Sequence, residues 1–145
     1  MQGRSKTRLR LAYGCAALAI IAAGLAVRHP GTGLPWPLAK YAGSALWGTM
    51  VYFVVAVVAP RAGPFRRAGA AAVLAALVEL VRLVHAPWLD AFRMTTAGGL
   101  LLGRIFSPWN IAAYWLGILG GAVADRFAAN CLGSDARGAS RRRAP

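Results

Sequence analysis

Four apolar stretches, 11–27, 42–59, 68–84 and 111–127, dominate the chain. Each comes close to the ~17–25 residues that a helix needs to cross ~30 Å of hydrocarbon. Between them lie short segments rich in Arg, Pro and Gly, such as the PRAGPFRR that starts at Pro60. Such a segment cannot continue a helix and closes a hairpin. The expectation is an all-α integral membrane protein with four transmembrane helices at these positions. A re-entrant or interfacial segment is expected between the third and fourth, and both termini are expected to be cytoplasmic.

Composition bears on this reading in two ways. A hydrophobic content of 58% and a mean hydropathy of +0.51 exceed what a soluble domain carries. The net charge of +13 would suggest nucleic acid in a soluble chain, but here the basic residues fall between the apolar runs. They read as topology signals. Twelve of the 17 Lys and Arg lie on the side of the termini and of the 60–67 hairpin. The other side holds Arg28, Lys40, Arg82, Arg93 and Arg104, so the positive-inside rule puts it outward, in the periplasm of a bacterial inner membrane. Arg far outnumbers Lys and Ala and Gly are abundant, which points to a GC-rich bacterial genome.

The chain divides into a basic cytoplasmic N-terminus (1–10), one four-helix membrane domain (11–127) and a basic, disordered cytoplasmic tail (128–145). A cleaved signal peptide is not expected, because no small-x-small site precedes a polar start. Cys15 lacks the surroundings of a lipoprotein cysteine, and Cys131 falls on the reducing side, so no disulfide is expected. Two Cys and two His, with no zinc-site spacing, give no reason to expect a metal or another cofactor. Gly117 and Gly121, at GxxxG spacing, are expected to let helices approach closely, and Gly99 with Gly103 to do the same in the 87–108 segment.

The carboxylate singled out within these stretches is Glu79, in AAVLAALVELVRLV. A charge inside a membrane span is costly unless paired, which makes it the first functional suspect. Arg82 follows at i+3 and can share its face. The bland reading is an ion pair that only holds the bundle together. The functional reading gains from other polar groups expected at the same level: Lys40 and Tyr41 at the start of the second span, Asn110 and Tyr114 at the start of the fourth, and His85, Asp90 and Arg93 between. Together these nine residues would line a shallow outward pocket with cations in excess, suited to a phosphate or carboxylate.

The segments AKYAGSALW from Ala39, VELVRLVHAPWLDAFR from Val78, LLLGRIF from Leu100 and NIAAYWLG from Asn110 resemble a family of short four-span bacterial membrane proteins. That family is a domain of unknown function, distantly similar to the VanZ-like, teicoplanin-resistance group. The resemblance covers about 11–125. It implies signature roles for Lys40, Tyr41, Trp47, Glu79, Ala86 to Asp90, Arg93, Gly103, Phe106, Tyr114 and Gly117, and by analogy an envelope role. Ser44 and Asn110 stand where the pattern has Asp, and Arg82 where it has Gln, so a mechanism built on several carboxylates is not expected here.

The expected function is therefore a non-catalytic membrane protein whose outward polar site binds an anionic lipid or cell-wall precursor. The alternatives are a small proton-coupled transporter acting as a dimer, or an intramembrane enzyme on lipid-linked substrates that uses His85 and Asp90. Expected partners are membrane lipids, that anionic ligand and a second copy of the chain in a homodimer; nucleic acid is not expected.

Overall fold

The computed structural model describes residues 2–102 and 106–141, with side chains from 6 to 130 apart from Leu100 and 103–105. Six α-helices follow one another: α1 Gln2–Val27, α2 Trp36–Val58, α3 Pro64–Val81, α4 Pro87–Met94, α5 Thr96–Leu101 and α6 Pro108–Arg141. A short 3-10 turn, Pro30–Thr32, joins α1 to α2. The described residues contain no strand.

Proline sets most of the helix starts. Pro64, Pro87 and Pro108 open α3, α4 and α6, and Pro35 and Pro37 flank Trp36 at the start of α2. At the first turn a missing N–H costs nothing, and the fixed φ already suits a helix. Hence α2 begins several residues before its apolar run, and Lys40 and Tyr41 lie in its first turns rather than ahead of it. At the other end, α3 stops at Val81, short of the expected Val84, and Arg82 is its C-cap. Helix α6 continues through 128–141, where the sequence reading places a disordered tail. Ala and Arg are good helix formers, and no proline follows before Pro145.

Helix α2 is central and packs against α1, α3 and α6, while α3 also packs on α6. The α2–α6 contact is backbone on backbone. A Cβ at Gly117 would fall on the Ala45 carbonyl, one at Gly48 on that of Tyr114, and Gly121 faces Tyr52 and Thr49. Thr49 Oγ1 donates across the interface to the Gly117 carbonyl at 2.8 Å. The expected GxxxG approach is thus present, with Gly48 as its counterpart on α2. In the α4–α5 pair Gly98 presses on backbone, at the Phe92 carbonyl. Gly103 lies outside the described residues.

Tyr52, Tyr114 and Ile118 fill the centre, but on α3 small and polar residues face inward and large apolar ones outward. The buried face of α3 is Arg67, Ala71, Ala75 and Glu79, an i+4 stripe with a charge at each end. Its other side exposes Val73, Leu74, Leu77 and Leu80, and α6 likewise exposes Leu116, Leu119, Val123 and Phe127. Water would favour the reverse, so these surfaces need an apolar cover. On length and apolarity alone two windows suffice to cross a membrane, Lys6–Val27 and Trp36–Val58, with 6% and 28% of their residues buried. A core helix of a soluble protein would be mostly buried. Three charges, Arg66, Arg67 and Glu79, keep α3 below that standard.

Candidate functional site

Two polar layers close the ends of the bundle. Along α3 they are the two ends of one stripe, Arg67 and Glu79, twelve residues or ~18 Å apart at ~1.5 Å per residue. At the Glu79 end the carboxylate is fully buried. One oxygen pairs with Arg82 Nη1 at 2.6 Å. The other accepts from the Ser107 backbone N–H at 2.8 Å and from Asn110 Nδ2 at 3.3 Å. Arg82 also donates to the Tyr114 hydroxyl at 2.8 Å and to the Leu102 carbonyl. Tyr114 in turn packs on Trp47, with ring centroids 4.7 Å apart. The layer therefore ties α3 to α2, to the end of α5 and to the start of α6.

Arg93, expected to face a ligand, is 4% exposed and turned inward. Its Nη2 donates to the Val81 carbonyl at 2.6 Å, and its Nη1 to the Val84 carbonyl at 3.0 Å and to Asp90 at 2.8 Å. It holds the Val81 carbonyl at the end of α3, which also accepts the Val84 N–H, and the Val84 carbonyl beyond it. Arg82 does the same for the C-cap residue of α5, Leu102. His85 is exposed, with Nδ1 3.2 Å from the Leu83 carbonyl, and makes no hydrogen bond with Asp90.

Lys40 and Tyr41 lie apart from this layer, on the first turns of α2. Lys40 Nζ is 4.9 Å from the Trp36 ring and 5.3 Å from the Tyr41 ring, a cation–π clasp that fixes the ammonium without neutralising it. One turn further, Gly43 has no Cβ to obstruct the guanidinium of Arg28, which crosses it from the end of α1. Neither Arg28 nor Lys40 pairs with a carboxylate among the described residues. Of the nine expected site residues, then, Glu79, Arg82, Asn110 and Tyr114 converge, Asp90 and Arg93 form a separate brace, and Lys40, Tyr41 and His85 stand outside both.

The opposite layer was not foreseen. Asp125 lies inside the fourth apolar stretch, yet the sequence reading singled out Glu79 alone. Its carboxylate takes Arg67 Nη1 at 2.6 Å, the Tyr52 hydroxyl at 2.7 Å and the Tyr13 hydroxyl at 2.9 Å. Arg67 Nη1 also donates to the Tyr13 hydroxyl at 2.8 Å. Its Nη2 donates to the Pro60 carbonyl at 2.6 Å and its Nε to that of Ala59 at 3.3 Å, which completes the end of α2. Each of the four long helices contributes one side chain. The available signal was the i+4 stripe through Arg67 and Glu79, because a buried arginine there demands an acid on a neighbouring helix.

The acids of these layers are paired, while Asn110 Oδ1 and Trp47 Nε1 are buried without a hydrogen-bond partner among the described residues. Three of the chain's four acids, Glu79, Asp90 and Asp125, each pair with an arginine. Among the described residues no three of His, Cys, Asp and Glu converge as metal ligands would. Ser44 is buried on α2, and Ser107 engages Glu79 through its backbone N–H.

Residues 34–118 match the family described as "Protein of unknown function (DUF2809)". The matched region runs from just before α2 into α6, so it takes in the Glu79 layer and leaves out α1, Arg28 and Asp125. It is narrower than the resemblance read from the motifs, and the VanZ-like group is not part of the match. No solved structure matches the chain. The chain belongs to the DUF2809 family.

Proposed function

We propose that this DUF2809 member is a multi-pass inner-membrane protein, with both termini cytoplasmic, that binds an anionic headgroup at its outer face through Arg28 and Lys40. The headgroup would be the phosphate or carboxylate of a membrane lipid or a lipid-linked envelope intermediate. In this reading α1, α2, α3 and α6 cross the bilayer. The inside-out packing supports that. The carbonyl-capping arginines support it too, since a bilayer offers helix ends within it no water to bond to. Two buried layers about 18 Å apart fit inside ~30 Å of hydrocarbon.

One observation carries the binding reading. The acids at the outer end, Glu79 and Asp90, already have arginine partners, whereas Arg28 and Lys40 have no acid among the described residues. That end therefore presents positive charge on a rigid frame. The Glu79 layer is the frame, not the contact. A proton-carrying transporter needs a carboxylate that can change partners, and Glu79 is held from three sides. The enzyme alternative needs His85 and Asp90 together, and Asp90 instead holds Arg93.

Near an anionic surface each basic residue contributes ~1 kcal/mol, so the pair amounts to about 2 kcal/mol, or roughly thirty-fold in affinity. Native mass spectrometry of the full chain in nanodiscs measures retained phosphatidylglycerol against phosphatidylcholine. The variant Arg28→Gln with Lys40→Gln is expected to lose about that much preference. Arg93→Ala is expected to keep it, because that guanidinium faces carbonyls. An unchanged preference in the double variant would overturn the reading.

A further inference from the structure

We infer that the groove between α1 and α2, bounded by α5, seats one acyl chain of an anionic glycerophospholipid whose phosphate rests on Arg28 and Lys40. The inference depends on the anion-binding reading above and adds where the apolar part of the ligand goes. The groove has a volume of about 230 Å³. That is smaller than the ~300–1,000 Å³ of pockets that enclose a whole small ligand. It suits a slim segment of a larger molecule.

Its walls are apolar and come from three helices, with Ile20 and Leu25 on α1, Leu46 and Met50 on α2, and Ala97 and Leu101 on α5. Among the described residues Arg28 is the one charged side chain in the lining. Gly43 makes that position possible, since any Cβ there would fall on the guanidinium. Lys40 precedes Gly43 by three residues and so shares that face of α2. An apolar slot lined by Arg28, with Lys40 one turn from Gly43 on the same helix face, is complementary to a phosphate carried on an alkyl chain.

A bilayer already solvates the chain, so the groove contributes van der Waals contact and position, while the phosphate supplies selectivity. The occupant also reaches the polar frame. Trp47 lines the groove and its ring lies 4.7 Å from that of Tyr114, which bonds Arg82.

The test fills the groove from two sides. In Gly24→Leu the new side chain starts from a Cβ 3.8 Å from Leu46 Cβ, and Ala97→Leu projects from an exposed position on α5. Full-length protein in nanodiscs that contain phosphatidylglycerol and phosphatidylcholine with identical acyl chains is read by native mass spectrometry. Each variant is first checked for wild-type helicity and elution, and either one alone suffices. The expected result is one phosphatidylglycerol per wild-type chain and about ten-fold less retained in the filled variants. Wild-type retention in a filled variant would overturn the inference. A dimer mass with no lipid, abolished by the same variants, would also overturn it and assign the groove to a second copy of the chain. If filling has no effect while Arg28→Gln with Lys40→Gln removes the preference, the headgroup reading stands and only the groove falls.

Discussion

Replacing Asp125 by asparagine removes the countercharge of Arg67 while keeping a polar group of the same shape. The carboxylate oxygen 2.6 Å from Arg67 Nη1 is lost as an anion, and the side chains concerned are 6% and 9% exposed. Breaking a buried pair from one side leaves a desolvated charge and costs about 3–5 kcal/mol. The Tyr13 and Tyr52 hydroxyls also exchange a charged acceptor for a neutral one. Asp90→Asn is the matched control, because that carboxyl is 44% exposed and its pair with Arg93 is screened. Its expected cost is below about 1 kcal/mol. Equilibrium unfolding in mixed micelles of increasing denaturing detergent checks both expectations. The double change Arg67→Met with Asp125→Leu should recover part of the loss. Recovery stays incomplete because the Pro60 carbonyl loses its Arg67 donor and the Ala59 carbonyl keeps only the Ala62 N–H. Equal small costs for Asp125→Asn and Asp90→Asn, or a double variant no more stable than Asp125→Asn, would refute the argument.

The same assay applies at the other layer. Glu79→Gln should destabilise by about 3–5 kcal/mol, and Glu79→Gln with Arg82→Gln should be more stable than the single change; wild-type stability of Glu79→Gln would show that the pair is not structural. Gly117→Leu should separate α2 from α6 and cost about 3 kcal/mol or more by overpacking. Gly120→Leu, whose Cβ meets nothing within 4 Å, should stay within about 0.5 kcal/mol. A Gly117→Leu protein as stable as Gly120→Leu would contradict the close approach.

Much of the architecture was legible because long apolar runs and proline punctuation act locally. Pro87 and Pro108 as boundaries and the glycine contacts at Gly117 and Gly121 needed no tertiary information, whereas Pro64 to Arg67, read as part of the hairpin turn, open α3. Glu79 with Arg82 was legible for the same reason, as an i+3 pair on one chain segment. Asp125 escaped notice because its partners, Tyr13, Tyr52 and Arg67, come from three other helices. Arg67 itself was read as a hairpin charge that sets topology, whereas the fold buries it and neutralises it with Asp125. Arg93 was misread for a related reason. A cation between two spans looks like a ligand contact until the Val81 and Val84 carbonyls, at and just beyond the end of α3, are seen beneath it. Arg28 gave no local signal, because its role depends on Gly43 of the neighbouring helix.

The account rests on the two ends of the bundle facing opposite sides of a membrane. With Cys15 and Cys131 replaced by serine, Thr32→Cys in the α1–α2 turn and Gly63→Cys in the α2–α3 turn place one exposed thiol at each end. A membrane-impermeant maleimide applied to intact spheroplasts should label position 32 at once and position 63 only after permeabilisation. Labelling of 63 from outside, or of both positions without permeabilisation, would contradict the orientation and with it the outward site.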